Sequence, residues 1–425
     1  MELKKYRLSD IAKVEISGID KKSKEGQQDV LLCNFVDVYY NWAVTKDLES
    51  KFMPATASDS EIESFKLHKG QVAITKDSET RDDIGVATYI ADDFDNLVVL
   101  GYHTALITPD EEQLCGKYLN ALMHSSYFQR YWSNNASGSG QRYTLSQKVI
   151  EDAPLYLPDI DIQREIGEFF SDLDRKICLN KKENETLEAM AKQLYDYWFV
   201  QFDFPDTNGR PYKTSGGKMV WNETLKREIP EGWEDEQIMS SFHVVNGATP
   251  STKEASNYGE EIIWITPKDL SEQQSKFTYK GARSITQKGY DSCSTSLIPS
   301  GSILMSSRAP IGLVSIAANE LCTNQGFKSF YSDNPDYNLY LYYYILDHMK
   351  QIEQLGSGTT FKEVSRESIS AFPIIAAYKK DCYATWVEQI KPIFEKQAAL
   401  VSENNTLTET RDFLLPLLMN GQIKL

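Results

Sequence analysis

The chain has 425 residues, 41% of them hydrophobic and 12% aromatic, which is enough for more than one packed core and excludes a disordered or fibrous protein. Its 45 basic against 61 acidic groups leave a formal charge of −16, which argues against a polycation that grips nucleic acid by charge alone. No apolar run reaches the length of a membrane span, the N-terminus MELKKYRLSD carries no secretory leader, and the six scattered cysteines form no CxxC pair or Cys/His cluster, so a soluble cytoplasmic protein with reduced thiols and no metal site is expected.

Residues 1–157 read as a mixed α/β domain. FKLHKGQVAITKDSETRDDIGVA (65–87) alternates apolar and polar positions around glycines, as short strands joined by a tight turn do. Three polar loops accompany it, TKDSETR (75–81), GYH (101–103) and GSGQRYT (138–144), and Pro154 closes the domain. A first long helix is expected over 158–202. Its apolar ladder runs Ile166, Phe170, Leu173, Ile177, Asn180, Asn184, Leu187, Ala191, Leu194, Trp198, in alternating steps of four and three that mark a coiled-coil seam. At ~1.5 Å per residue such a helix is roughly 50 Å long. Acidity concentrates here, with 13 acidic and 6 basic groups in 151–205.

The segment 203–233 is rich in Gly, Pro, Asn and Lys and reads as a surface linker. A second mixed α/β domain over 234–376 then repeats the first. LIPSGSILMSSRAPIGLVS (297–315) answers 65–87, with Gly301 and Gly312 in the places of Gly70 and Gly85, and GSGTTFKEVS (356–365) answers GSGQRYTLS (138–146). A second long helix over 377–425 carries the ladder Trp386, Ile390, Ile393, Gln397, Leu400, Asn404, Leu407, Arg411, Leu414, Leu418, shifted by 220 from the first. The result is an α+β fold with a pseudo-two-fold internal repeat: two mixed α/β domains separated by two long helices. A whole domain intervenes between the helices, so they are expected to pair antiparallel. Asn184 and Asn404 then fall near one layer, where a buried polar pair fixes register; simple tolerance of partial exposure is the other reading of each.

Motifs for catalysis are missing. The chain holds no GxxxxGK[ST], no GxGxxG at a strand–helix junction, and no NPPY or DPPY tetrapeptide. Its five histidines lack metal-ligand spacing, and none is expected to be catalytic or to bind a metal.

With the repeat in place, the chain resembles the specificity (S) subunit of Type I restriction-modification enzymes along essentially its full length. The resemblance rests on LEAMAKQLYDYWFVQFDFP (187–205), GRPYKTSGGKMVWNETLKREIPEGW (209–233), NGATPSTK (246–253), IIWITPKDL (262–270), SRAPIGLVSI (307–316), NQGFKSF (324–330), LGSGTTFKEVS (355–365) and TLTETRDFLLPLLMNGQIKL (406–425). It implies that each domain is a target-recognition domain reading one half of a bipartite, asymmetric target in double-stranded DNA. The helices would set the spacing and dock two methyltransferase subunits. No cofactor belongs to this chain: S-adenosylmethionine, ATP and Mg would be held by the methyltransferase and restriction subunits. A non-catalytic coiled-coil adaptor without DNA binding is the alternative that the acidic charge favours.

Direct readout uses Arg or Lys for guanine, Asn or Gln for adenine, and Ser or Thr for bases or phosphates. In the first domain the candidates are Lys76, Ser78, Thr80, Arg81, Tyr102, His103, Gln141, Arg142 and Tyr143. In the second they are Thr249, Ser251, Lys253, Lys268, Ser307, Arg308, Asn324, Gln325, Thr360, Phe361 and Lys362. Each short polar residue among them is also a common turn former. Partner contact is expected on Phe169, Met190, Tyr195, Tyr197, Phe199, Phe413, Leu415 and Leu417, which lie beside the ladders; cover by the chain's own domains is the alternative.

Overall fold

Two glycine turns, each with its glycine in the left-handed region, join the central strands of two similar sheets in the computed structural model, which describes residues 3–423 apart from 141, 274 and 359–361. Gly85 has φ +78° and Gly312 φ +99°, and a Cβ would meet Trp132 at 2.3 Å in one and Met349 at 2.8 Å in the other. The residue after each glycine donates its backbone N–H to a hydroxyl one strand back: Val86 to Thr75 Oγ1 at 3.0 Å, Leu313 to Ser306 Oγ at 2.9 Å. These shared contacts align the repeats residue by residue, Thr75 with Ser306.

The sheets agree in strand order. In the first domain it is Ala12–Ile16, Thr104–Pro109, Val72–Thr75, Ala87–Ile90, Ala43–Val44. In the second it is His243–Asn246, Phe327–Tyr331, Ile303–Ser307, Ile311–Ala317, Phe277–Thr278. All neighbours are antiparallel except the last pair, which is parallel in both. A smaller sheet accompanies each, of three strands in the first domain and four in the second, and in both an inner strand pairs antiparallel on one side and parallel on the other.

The two long helices are Ile160–Tyr195, continued by a wider π-type turn over Asp196–Val200, and Cys382–Met419. The chain divides into two units, Met1–Leu179 with Asn404–Leu425, and Asn180–Glu403, so each unit takes half of each helix. In the first unit Ile166 and Phe170 share a core with Leu415, Leu418 and Met419. In the second, Tyr195 and Phe199 share one with Trp386, Ile390 and Phe394. Rising numbers meet falling ones in both, so the helical halves run antiparallel, as the sequence pattern requires.

The register differs from expectation. Asn404 donates to the Ile177 carbonyl at 3.4 Å, while the Asn184 carbonyl accepts from Gln397 at 3.4 Å. Each asparagine is thus level with a residue one heptad away from the other, and both are half-buried. The deeply buried polar seam residues are Asn180, which donates to Glu403 at 2.8 Å, and Gln397. A heptad ladder fixes which face of each helix is inside but not the layer at which a given pair of residues meets.

The segment 203–233 is more than a surface linker. Met219–Asn222 and Arg227–Pro230 form a hairpin, and Phe204, Trp233 and Phe202 are buried in the second core. Its aromatic residues outweigh its turn composition. Tyr195, Phe199 and Leu415 are likewise covered by the chain itself, whereas Met190 and Phe413 are 49% and 68% exposed.

Each domain meets its helices through a cation on an aromatic ring. Trp42, just before Ala43–Val44, stacks on half-buried His124 at 4.3 Å and carries the Arg411 guanidinium 5.0 Å from its centroid. Burial pulls the His124 imidazole down to about 4; its hydrogen bond to the Ala87 carbonyl opposes this and the Arg411 charge adds to it. Lys276 occupies the matching place before Phe277–Thr278. Its ammonium lies 3.6 Å from the Phe394 ring centroid and donates to Glu188 at 2.7 Å, Gln397 at 2.8 Å and Tyr343 at 3.0 Å. Burial pulls it down to about 8 against the opposing influence of Glu188.

Candidate nucleic-acid interface

The first-domain loops converge on a carboxylate that the sequence did not single out. Asp77, just past the central strand Val72–Thr75, is buried, and its Oδ2 lies 3.0 Å from Lys76 Nζ, 2.7 Å from His103 Nδ1 and 3.4 Å from an Arg142 guanidinium nitrogen. The Thr144 hydroxyl donates to its other oxygen. Burial alone pushes this carboxyl up, but the hydrogen bonds from Thr144, His103 and Lys76 together outweigh it and hold the group below the ordinary carboxylate value.

Local structure explains the convergence. His103 has φ +71° in the turn before Thr104–Pro109, and its carbonyl accepts from the Lys76 N–H at 2.9 Å, which ties two loops together. Tyr143 pairs with Ser78 in a small three-stranded sheet, bringing in the third loop. Arg81 then sits 5.1 Å from the Tyr143 ring centroid, and Tyr102 lies against His103 at 3.4 Å. Thr80 donates its backbone N–H to Ser78 Oγ at 3.2 Å, a turn-forming role. Of the first-domain candidates, all but Gln141, which lies outside the described residues, fall in one cluster. Tyr102, Arg81 and Arg142 are exposed at its surface.

The second domain uses the same framework with different groups. Arg308 stands where the alignment of Thr75 with Ser306 places Asp77. The carboxylate comes instead from Glu363, which faces Arg308 at 3.7 Å and the buried Lys328 at 3.2 Å. Ser307 is fully buried and donates to the Gly326 carbonyl at 3.1 Å, so it holds the loop rather than meeting solvent. Asn324 closes the adjoining turn by accepting from the Gly326 N–H at 2.9 Å, leaving Gln325 exposed with the Thr249 hydroxyl donating to it. Ser251 caps a short turn through its carbonyl, which accepts from Asn257 at 3.2 Å. Lys253 is exposed, and Lys268 pairs with Glu272 at 3.4 Å along the helix Pro267–Gln273. Lys362 is exposed beside Glu363, and Thr360 and Phe361 lie outside the described residues.

Sequence reasoning missed Asp77, Thr144, Lys328 and Glu363. An acid inside a charged loop has no signature of its own; only the fold brings it to the cations. Among the described residues no group of His, Cys, Asp and Glu is arranged to hold a metal, and no helix is long and apolar enough to cross a membrane.

Comparison with known proteins identifies the family and the fold. The family model for the Type I restriction modification DNA specificity domain matches residues 2–189 and 230–376. The chain is 26% identical to the Type I restriction enzyme HindI specificity subunit of Haemophilus influenzae, over 99% of both chains. It is 37% identical to the MjaIX specificity subunit of Methanocaldococcus jannaschii over 37% of this chain and 38% of that one. Its fold is similar to the crystal structure of a Type I restriction-modification system S subunit from M. genitalium, with a TM-score of 0.55, 12% identity, and coverage of 98% of this chain and 96% of the other.

Proposed function

The chain belongs to the Type I restriction modification DNA specificity family and carries two of its DNA specificity domains, and from this we propose that each domain reads one half of a bipartite, asymmetric target in double-stranded DNA. The two long helices set the spacing between the half-sites. They also dock two methyltransferase subunits, for which the exposed Met190 and Phe413 are candidate anchors. S-adenosylmethionine, ATP and Mg belong to the partner subunits, and the reaction served is methylation of adenine.

One observation supports this reading above the others. The two domains share strand order and turns, yet from corresponding loops they present different polar groups: Arg81, His103 and Arg142 in one, Arg308, Gln325 and Lys362 in the other. Two readers on one scaffold with different side chains suit a target whose halves differ. The charge of −16 fits a chain that leaves most phosphate neutralisation to its partner.

The test is co-expression with the cognate methyltransferase subunit, followed by mapping of methylated adenines in the host DNA. Methylation at one split sequence is expected, and exchanging residues 75–81 and 138–144 for those of a relative should change one half of that sequence only. Equal binding of the assembled complex to random and host-derived methylated sequences overturns the proposal.

A further inference from the structure

Asp77 sits where a fold has no need of a charge. Asp77 is at the end of the central strand with its side chain 9% exposed, a position at which an apolar residue packs at less cost than a carboxylate unless partners compensate. Here three cationic or protonatable groups from three separate loops compensate it: Lys76, His103 and Arg142. The second domain reaches the same arrangement by a different route. The position after the strand holds a cation, Arg308, and the acid enters from the neighbouring segment, at an isolated bridge between Glu363 and Ser357. Backbone bonds show the correspondence: Leu145 N–H donates to the Lys76 carbonyl at 2.8 Å and Val364 N–H to the Ser307 carbonyl at 3.0 Å, so Glu363 stands in the place of Thr144. The acid has moved to the position that Thr144 holds in the first domain, and a carboxylate facing two cations, Arg308 and Lys328, is still there. Packing alone does not ask for that twice.

Resting on the DNA-reading role proposed above, we infer that Asp77 and Glu363 are positioning residues that determine specificity: Asp77 holds Lys76, His103 and Arg142, and Glu363, anchored on the buried Lys328, holds Arg308, so that these groups are withheld from random phosphates and presented in one geometry to base edges. The physics has two parts. A lysine or guanidinium already paired with a carboxylate releases fewer counterions on meeting a phosphate, so affinity for arbitrary DNA falls. A guanidinium held through one nitrogen keeps its remaining N–H groups free and oriented, which is what bidentate contact with guanine requires. Loose cations bind DNA more tightly and read it less well.

The experiment uses the full chain assembled with its methyltransferase partner and two duplexes of equal length, one carrying the sequence methylated by the wild-type complex and one random. For Asp77→Asn, affinity for the random duplex should rise about three- to ten-fold at low salt. The slope of log affinity against log salt should steepen by about one for each cation released. The ratio of specific to random binding should fall by about ten-fold, with relaxed base choice in one half of the target only. Glu363→Gln should do the same to the other half; its carboxylate is 39% exposed, so this variant carries the test if Asp77→Asn does not fold. An unchanged salt slope with the ratio preserved overturns the inference, because a merely structural role leaves both where they were. If the wild-type complex itself fails to discriminate the duplexes, the DNA-reading role falls first.

Discussion

The two junctions between domain and helices solve one problem with the parts exchanged. In the first unit the domain supplies the ring, Trp42, and the second long helix supplies the cation, Arg411. In the second unit the domain supplies the cation, Lys276, and the same helix supplies the ring, Phe394. The surroundings then diverge. Trp42 is backed by the half-buried His124 imidazole, whereas Lys276 is met by the Glu188 carboxylate, a glutamine and a tyrosine hydroxyl. A cation over a ring is worth about 0.5–2 kcal/mol whichever partner brings which half. What differs is the response to pH, because the groups behind each contact titrate in different ranges.

The largest expected effect comes from removing the ring. Trp42→Ala should destabilise the first unit by about 3 kcal/mol, by loss of its packing on His124 and Phe170 and the cavity left behind. Hydrogen exchange resolved by unit should place that loss in 3–179 and 404–423. A loss spread evenly over both units breaks the comparison.

Next in size is the acid response of the first junction. His124 is neutral when folded down to about pH 4 but takes up a proton near 6.5 when unfolded. The unfolded chain therefore binds more protons between these values, and stability falls as pH drops from 6.5 towards 4, by at most about 1.4 kcal/mol per unit from this one group. His348, which ends the corresponding helix of the second domain, is also pulled down by burial and adds to the same window. In urea titrations at pH 7 and pH 5, His124→Phe should flatten the first unit's loss and leave the second's in place.

At pH 7 the smallest effect, which is also the most discriminating, comes from the second junction. Lys276 loses its proton near 8 in the folded chain and near 10.5 when unfolded, so its contribution to stability rises with pH from about 8 upward. Above about pH 10 the buried Tyr342 and Tyr343, whose hydroxyls burial pushes up, act in the opposite direction. Lys276→Met keeps most of the stem in place and should change stability near pH 7 by only about 1 kcal/mol. The gain between pH 8 and 10 should vanish with it. A Lys276→Met chain that keeps the gain shows that the lysine is not its source.

Much of this architecture was legible beforehand because it is written in short-range patterns. Steps of four and three mark both helices, paired glycines mark both turns, and the copy of 65–87 in 297–315 marks the repeat. The family resemblance, carried by segments along the whole chain, is borne out by the match over both domains. The sliding register of the helices was not legible, since Asn184 and Asn404 occupy equivalent ladder positions whatever layer they end in. Nor were Asp77, Trp42 and Lys276. Each is an ordinary residue in its local sequence and acquires its role from partners dozens to hundreds of residues away. The loop candidates fared in between: composition found the cations of the first domain, and the fold supplied the acid that gathers them.

Because the first unit borrows from both ends of the sequence, the order of synthesis and the order of completion differ. The core of the first unit lacks Leu415, Leu418 and Met419 until nearly the whole polypeptide has left the ribosome, while the second unit has all its pieces once Glu403 emerges. The domain made first is thus the last to close, and it waits with an apolar face open beside Ile166 and Phe170. A frameshift or nonsense change shortly after codon 403 should therefore injure the recognition surface encoded at the opposite end of the gene, and spare the one next to it.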